Sequence, residues 1–216
     1  KKEFGALGGS LDRMRWVRGL GTMSDKQARV GRLSETTAAL FGADPLGASR
    51  AGSLSKLDLV TGMVGEFPKL QGHMGRLYAE HAGETPEVAM AIEEHYLPRY
   101  AGDVLPGSPV GKSVALADRL DTLSGCFGIG LVPKGSADPQ GLRRAANGVL
   151  SILLSEQKPA SLEALFTSAL GGFEEGIPRP TDEVIAHLSE FTLGRLKATL
   201  QAAGHRTDLA DAVLAV

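Results

Sequence analysis

The chain carries a single cysteine, Cys126, in 216 residues. That excludes an internal disulfide and a multi-cysteine zinc site, and it fits a reducing cytosol. Neither sign of charge dominates: 23 Lys and Arg stand against 25 Asp and Glu, a net charge of -2. The whole molecule therefore has no global pull toward nucleic acid or acidic membranes, and any nucleic-acid contact has to come from a local basic patch. No apolar run approaches the length of a membrane span and no signal-peptide pattern opens the chain, so a cytoplasmic protein without membrane contact is expected. An initiator methionine is missing as well, and Lys1-Lys-Glu-Phe-Gly5 reads as the start of a piece excised from a longer protein. Repeats and low-complexity tracts are absent, and apolar residues never alternate with polar ones over a strand's length. An all-α fold follows.

What is present is helical spacing, punctuated by caps and prolines. Residues 1–21 are basic and glycine-rich, with Trp16 the one indole, and read as an irregular arm. Ser24 or Asp25 is expected to cap a helix ending near Phe41-Gly42. Asp44-Pro45 predicts a second helix through Leu54, Leu57 and Val60, and Pro68 a third through Leu70, Met74 and Tyr78. Thr85-Pro86 predicts a fourth, ended by Pro98. Pro109, whose missing amide hydrogen costs nothing at a first helical position, predicts the central helix. Asp138-Pro139 predicts a helix ending near Leu154. A segment from Ser161 to Leu170 and a closing helix from Thr181 to Gly204 complete the chain.

The central helix bears the most informative carboxylates. Asp121 falls in line with Val110, Val114 and Ala117, so its side chain is expected to face the core. Asp118, three residues away, sits at the edge of that face. A carboxylate buried alone costs several kcal/mol or turns neutral. Asp121 therefore needs a partner: either it is a metal or catalytic acid, or it forms a structural ion pair with Arg143 or Arg144.

Other chemistry finds little support. Gly107-Ser-Pro-Val-Gly111-Lys112-Ser113 resembles a phosphate loop, but it has three residues between its glycines where four are needed, and no strand precedes it. Gly125, Gly128 and Gly130 do not match the dinucleotide fingerprint. No pair among His73, His81, His95, His187 and His205 has the spacing of a zinc-protease helix. No nucleophile elbow occurs, and Cys126 lies in an apolar helix end where its thiol stays protonated. Lys134, Arg143 and Arg144 surround one helix start, where amide donors suit phosphate. They read either as RNA-backbone contacts or as ion-pair partners.

His95 followed by Leu116-Ala-Asp118-Arg-Leu-Asp121 resembles the later half of HD-domain phosphohydrolases, helical enzymes that hold metal with histidines and aspartates. Lys26, in Lys26-Gln-Ala-Arg29-Val30, stands where that family has its first histidine, and Ser55-Lys56 stands where its His-Asp pair belongs. Only His95 and Asp118 remain as remnants, so the resemblance implies a degenerate site that binds no metal. A metal-dependent HD phosphohydrolase is the alternative.

A fuller set of motifs covers nearly the whole chain: Gly19-Leu-Gly-Thr-Met-Ser-Asp-Lys26, Ser55-Lys-Leu-Asp-Leu-Val-Thr61 through Glu66-Phe-Pro-Lys-Leu-Gln-Gly72, Ala91-Ile-Glu-Glu-His-Tyr-Leu-Pro-Arg99, Ala117-Asp-Arg-Leu-Asp-Thr-Leu123, Pro133-Lys-Gly-Ser136 and Leu142-Arg-Arg-Ala-Ala146. On these the chain resembles the beta subunit of the tetrameric bacterial glycyl-tRNA synthetase. The resemblance implies an arm (1–21), an HD-like helical domain (22–157), and a C-terminal helical segment (158–216) leading toward an anticodon-binding region. It implies tRNA(Gly) and the alpha subunit as partners, with ATP and Mg used by the holoenzyme and no cofactor or catalytic residue in this piece. A purely structural spacer is the further alternative.

Overall fold

The computed structural model describes residues 4–214 apart from 136, 139, 157, 158, 174, 175 and 203. Among them are eleven α-helices and no strand, with isolated bridges at Arg15–Thr22 and Lys134–Ala137. The chain opens with a 3-10 turn (Phe4–Leu7) and one helical turn, α1 (Gly8–Leu11). The stretch read as an irregular arm is thus anchored: Phe4, Leu11 and Leu20 are buried in the common core.

Helix α2 (Met23–Phe41) starts two or three residues earlier than expected, because Thr22 is its N-cap and Asp25 completes a reciprocal capping box. Each side chain thereby satisfies a backbone donor that the helix itself cannot. Gly42, at φ 67°, ends it in the left-handed region. Helix α3 (Pro45–Leu54) is capped by Asp44 and stops earlier than its apolar pattern suggested. A 3-10 turn (Leu57–Val60) and the short α4 (Gly62–Glu66) replace its continuation. The helix expected from Pro68 is also split, into a 3-10 turn (Pro68–Leu70) and α5 (His73–His81). The break lies at Gly72, with φ 84°, whose amide donates to Asp58 Oδ2 at 2.6 Å. A Cβ there would come 2.6 Å from the Tyr96 ring.

Helices α6 (Pro86–Glu94) and α7 (Pro109–Gly128) begin with Pro at the first turn behind Thr85 and Ser108 caps. Helix α8 (Leu142–Ser155) starts later than Asp138-Pro139 implied, since Gly141 adopts φ 66°. Asp138 still caps it, accepting from the amides of Leu142 and Arg143 at 2.7 and 2.9 Å; Pro139 lies outside the described residues. Ser161 caps α9 (Leu162–Leu170), and α10 (Thr181–Ala202) and α11 (Thr207–Leu214) close the chain. Gly204, at φ 88°, separates the last two, and the next amide bonds back to Leu200 O.

Helix α7 is the axis of the molecule. Sixteen of its 20 residues are buried, because α2, α6, α8, α9 and α10 surround it. At the α2–α3 crossing the two backbones pack closely: a Cβ on Gly52 would meet the Gly31 Cα at 2.8 Å. Apolar residues of α9 and α10, among them Phe166, Leu170, Val184 and Leu188, join the same core. The division at 157 and 158 lies outside the described residues. Among the described residues no helix is long and apolar enough to cross a membrane.

Candidate functional site

The polar centre of the molecule forms where α2, α6 and α7 meet beside the Ser55–Lys56 corner. Its residues are Lys26 and Arg29 of α2, Lys56, His95, and Asp118 and Asp121 of α7. Asp121 is 1% exposed, as its helical phase requires. Its partners, however, are not Arg143 or Arg144. Arg29 Nε donates to Oδ1 at 2.6 Å, and Lys26 Nζ donates to Oδ2 at 3.0 Å. The reason is angular. Arg119 of α7 packs on Gly148 of α8, and residues two apart on a helix point about 200° away from each other. Asp121 is therefore turned from α8 toward α2.

Asp118 is drawn into the same cluster. Nζ of Lys26 and Nζ of Lys56 both lie 3.1 Å from its Oδ1, although neither makes an aligned hydrogen bond to that atom. Lys26 spends its donors on Asp121, Thr122 Oγ1 (2.8 Å) and Asp118 O (3.2 Å). Lys56 Nζ stands 2.8 Å from His95 Nε2. His95 Nδ1 is 2.7 Å from Ile92 O. A carbonyl can only accept, so Nδ1 carries the proton and Nε2 accepts from Lys56.

Burial dominates the electrostatics. It pushes His95 well below its ordinary pKa, and the Lys56 charge adds to that, so the ring is neutral at pH 7. Burial also lowers Lys56, against the pull of Asp118. For Lys26 burial works the same way, but Asp118 and Asp121 outweigh it and raise its pKa. Burial alone would raise Asp118; Lys26 and Lys56 overcome this and hold it well below the usual carboxylate range. Burial raises the Cys126 thiol to about 11, so it stays protonated.

This donor set does not fit a divalent cation. Two ammonium groups crowd the one oxygen a metal would need, and positive charge stands where anionic ligands belong. Among the described residues no group of three or more His, Cys, Asp or Glu is placed to hold a metal ion. The loop resembling a phosphate site is also filled from within: Glu94 accepts from the amides of Gly107 (2.9 Å) and Ser108 (3.1 Å) at the start of α7.

Two members of the cluster, His95 and Asp118, line a cleft of about 610 Å³, together with Lys69, Tyr96, Arg99, Arg119, Arg144 and other neighbours. Nη1 and Nη2 of Arg119 are turned to the backbone, donating to the carbonyls of His95, Ala115, Tyr96 and Pro98. Of the three basic residues singled out around the α8 start, only Arg144 reaches this cleft. Arg143 is tied to the loop before α8 through the carbonyls of Gly135 and Ala137. Lys134 is exposed but does not line the cleft; Ser136 beside it lies outside the described residues. Lys26 and Lys56 were legible only as departures from a metal-site pattern, Arg29 only as part of the motif that follows Lys26, and Lys69 and Arg99 only as members of family motifs without a role of their own.

A family model described as glycyl-tRNA synthetase beta subunit matches residues 1–215. The glycine–tRNA ligase beta subunit of Shouchella clausii is 47% identical over 222 residues, 97% of this chain and 31% of that one. That of Haemophilus influenzae strain PittEE is 49% identical over 196 residues, 91% of this chain and 28% of that one. That of Actinobacillus pleuropneumoniae serotype 7 is 50% identical over 196 residues, again 91% and 28%. The chain thus spans under a third of the length of these curated relatives.

Proposed function

The chain belongs to the family of glycyl-tRNA synthetase beta subunits, and from that premise we propose that it engages and positions tRNA and braces the subunit without chemistry of its own. In this reading it is an HD-like helical domain whose metal site has been lost, with His95 and Asp118 as remnants. A C-terminal segment from residue 158 leads toward an anticodon-binding region. The adenylate-forming step, with its ATP and Mg, belongs to the alpha subunit of a cytoplasmic glycine–tRNA ligase whose substrate is tRNA(Gly).

One observation supports this reading above the rest: Lys26 and Lys56 both stand 3.1 Å from Asp118 Oδ1. A centre neutralised by ammonium groups has neither an open position for a Lewis acid nor a carboxylate free to act as a base. What it retains is rigidity, because its charges tie α2 and the Ser55–Lys56 corner to α7.

A specific observation favours the spacer alternative for part of the surface. The Arg143 guanidinium is occupied by two loop carbonyls, which leaves Lys134 and Arg144 as the cations of that region without an ion pair among the described residues. Replacing both with alanine in the intact synthetase should weaken tRNA binding and flatten its dependence on salt by roughly one to two counterions. An unchanged slope in a folded protein assigns the region to architecture alone.

A further inference from the structure

We propose that the cleft above Asp118 receives unpaired ribonucleotides, their phosphates held by Lys69, Arg99 and Arg144 and a base stacked on Phe67 or Tyr100. The proposal deepens the tRNA reading and rests on it.

Charge is the first observation. Lys69, Arg99, Arg119 and Arg144 line the cleft against one carboxylate, Asp118. That carboxylate is already neutralised from behind by Lys26 and Lys56, and Nη1 and Nη2 of Arg119 are turned to four carbonyls. Lys69, Arg99 and Arg144 are exposed, and none of them is in an ion pair among the described residues. They come from three separate parts of the chain, yet they converge on one concavity of about 610 Å³, a volume suited to a nucleotide-sized ligand. Such an array recognises an anion.

The rings are the second observation, and they are independent of charge. Phe67 immediately precedes Pro68, and Tyr100 immediately follows Arg99; Pro68 and Arg99 both line the cleft. Phe67 is 55% exposed and Tyr100 65%, and among the described residues these are the aromatic side chains most open to water. The backbone of a duplex is held by cations and amides and leaves exposed rings without a partner. Unpaired bases present their faces, and cationic grooves edged by aromatic rings are how proteins hold them. Gln140 adds an amide to the wall, able to bond a base edge.

The test uses the full-length beta subunit in its native assembly and fluorescence anisotropy with a labelled eight-nucleotide oligo(A), an oligo(A)·oligo(U) duplex of equal length, and AMP as competitor. All substituted side chains are exposed, and unchanged melting temperatures verify folding. Phe67→Ala and Tyr100→Ala should each weaken oligo(A) binding at least about fivefold, the low end of what one stacked base contributes, with the salt slope unchanged. Lys69→Ala and Arg99→Ala should each lower the slope by about 0.7, the single-strand value per phosphate. Duplex binding as tight as single-strand binding, with the aromatic variants unaffected, overturns the proposal. If the charge variants still lose slope in that case, the tRNA reading stands. AMP displacing oligo(A) completely at matched nucleotide concentration overturns it in favour of a free-nucleotide pocket. Oligo(A) that does not bind, with wild-type tRNA affinity in all four variants, overturns both the proposal and RNA engagement by this face.

Discussion

Arg29 and Asp121, 92 residues apart, form the shortest ion pair of the buried centre: Arg29 Nε donates to Asp121 Oδ1 at 2.6 Å, with Nη2 3.5 Å from Oδ2. The Arg29 guanidinium also lies 4.2 Å from the centre of the Phe173 ring. The pair therefore joins α2 to α7 and to the segment after α9. Removing one partner of a buried pair typically costs about 3–5 kcal/mol, because the other charge is left unpaired. Asp121→Ala should lose that much in chemical denaturation followed by far-UV circular dichroism. A loss below about 1 kcal/mol would contradict the pairing.

The two lysines should differ. Lys26 is bonded to Asp121 and Thr122 and paired with Asp118, and the carboxylates raise its pKa. Lys56 pairs with Asp118 and reaches His95, and burial lowers its pKa. Lys26→Met leaves two carboxylates short of a cation and is expected to cost about 3–5 kcal/mol. Lys56→Met leaves Asp118 with Lys26 and removes a desolvated charge, at an expected cost of about 1 kcal/mol or less. Equal losses from the two would refute this ordering.

His95 sets a pH dependence. Its folded pKa lies well below the ordinary value, through burial first and then Lys56. Below about pH 6.5 the unfolded chain takes up a proton that the folded chain refuses. Stability from this group is present above that pH and is lost as pH falls through it. The imidazole nitrogen resonances should keep the Nδ1–H pattern as pH falls through about 6.5, and His95→Gln should remove this part of the slope below that pH.

Asp118 has a depressed pKa as well, because Lys26 and Lys56 outweigh burial. Its contribution is present above the unfolded value of about 3.9 and is lost as pH falls further. The edge position that helical spacing gives Asp118 implies only a small effect for its substitution. The two lysines at 3.1 Å reverse that expectation. Asp118→Asn should destabilise at pH 7 and weaken the pH dependence below pH 4. Dialysis against a chelator should leave the melting temperature of the wild-type chain unchanged.

Gly52→Ala should destabilise the chain even though alanine favours a helix by about 1 kcal/mol. The added methyl would lie 2.8 Å from Gly31 Cα and 2.9 Å from Ser34 Oγ. Forcing apart two backbones at a crossing costs about 1–3 kcal/mol. A rise in melting temperature would show that α2 and α3 can separate freely.

Much of the fold was legible because caps are local. Asp44, Thr85, Ser108 and Ser161 begin helices where their residue types and the following prolines or periodicity placed them. The breaks at Leu54 and Gly72 were not legible, because they answer tertiary demands: Gly72 turns so that its amide can meet Asp58 and its Cα can pass Tyr96. The burial of Asp121 followed from helical phase, which is also local. Its partners did not, because no spacing rule links α7 to a residue 92 or 95 positions earlier. Arg143 and Arg144 were chosen for proximity in sequence, and the angle between Arg119 and Asp121 on one helix turned the carboxylate the other way. The cleft was invisible for the same reason, since its cations come from three unconnected stretches.

The shared oxygen of Asp118 has a consequence for how this centre can change over generations. Lys26 and Lys56 both lean on it, while Lys26 also serves Asp121. Any single exchange at Lys26, Asp118 or Asp121 strands a charge in the interior, so intermediates between this arrangement and one able to hold a metal ion are less fit to fold than either end. The centre is an evolutionary ratchet: Lys56 can change alone at little cost, but an exchange at Lys26 or at either aspartate needs a compensating change beside it, and other drift by single steps is confined to the rim of the cleft.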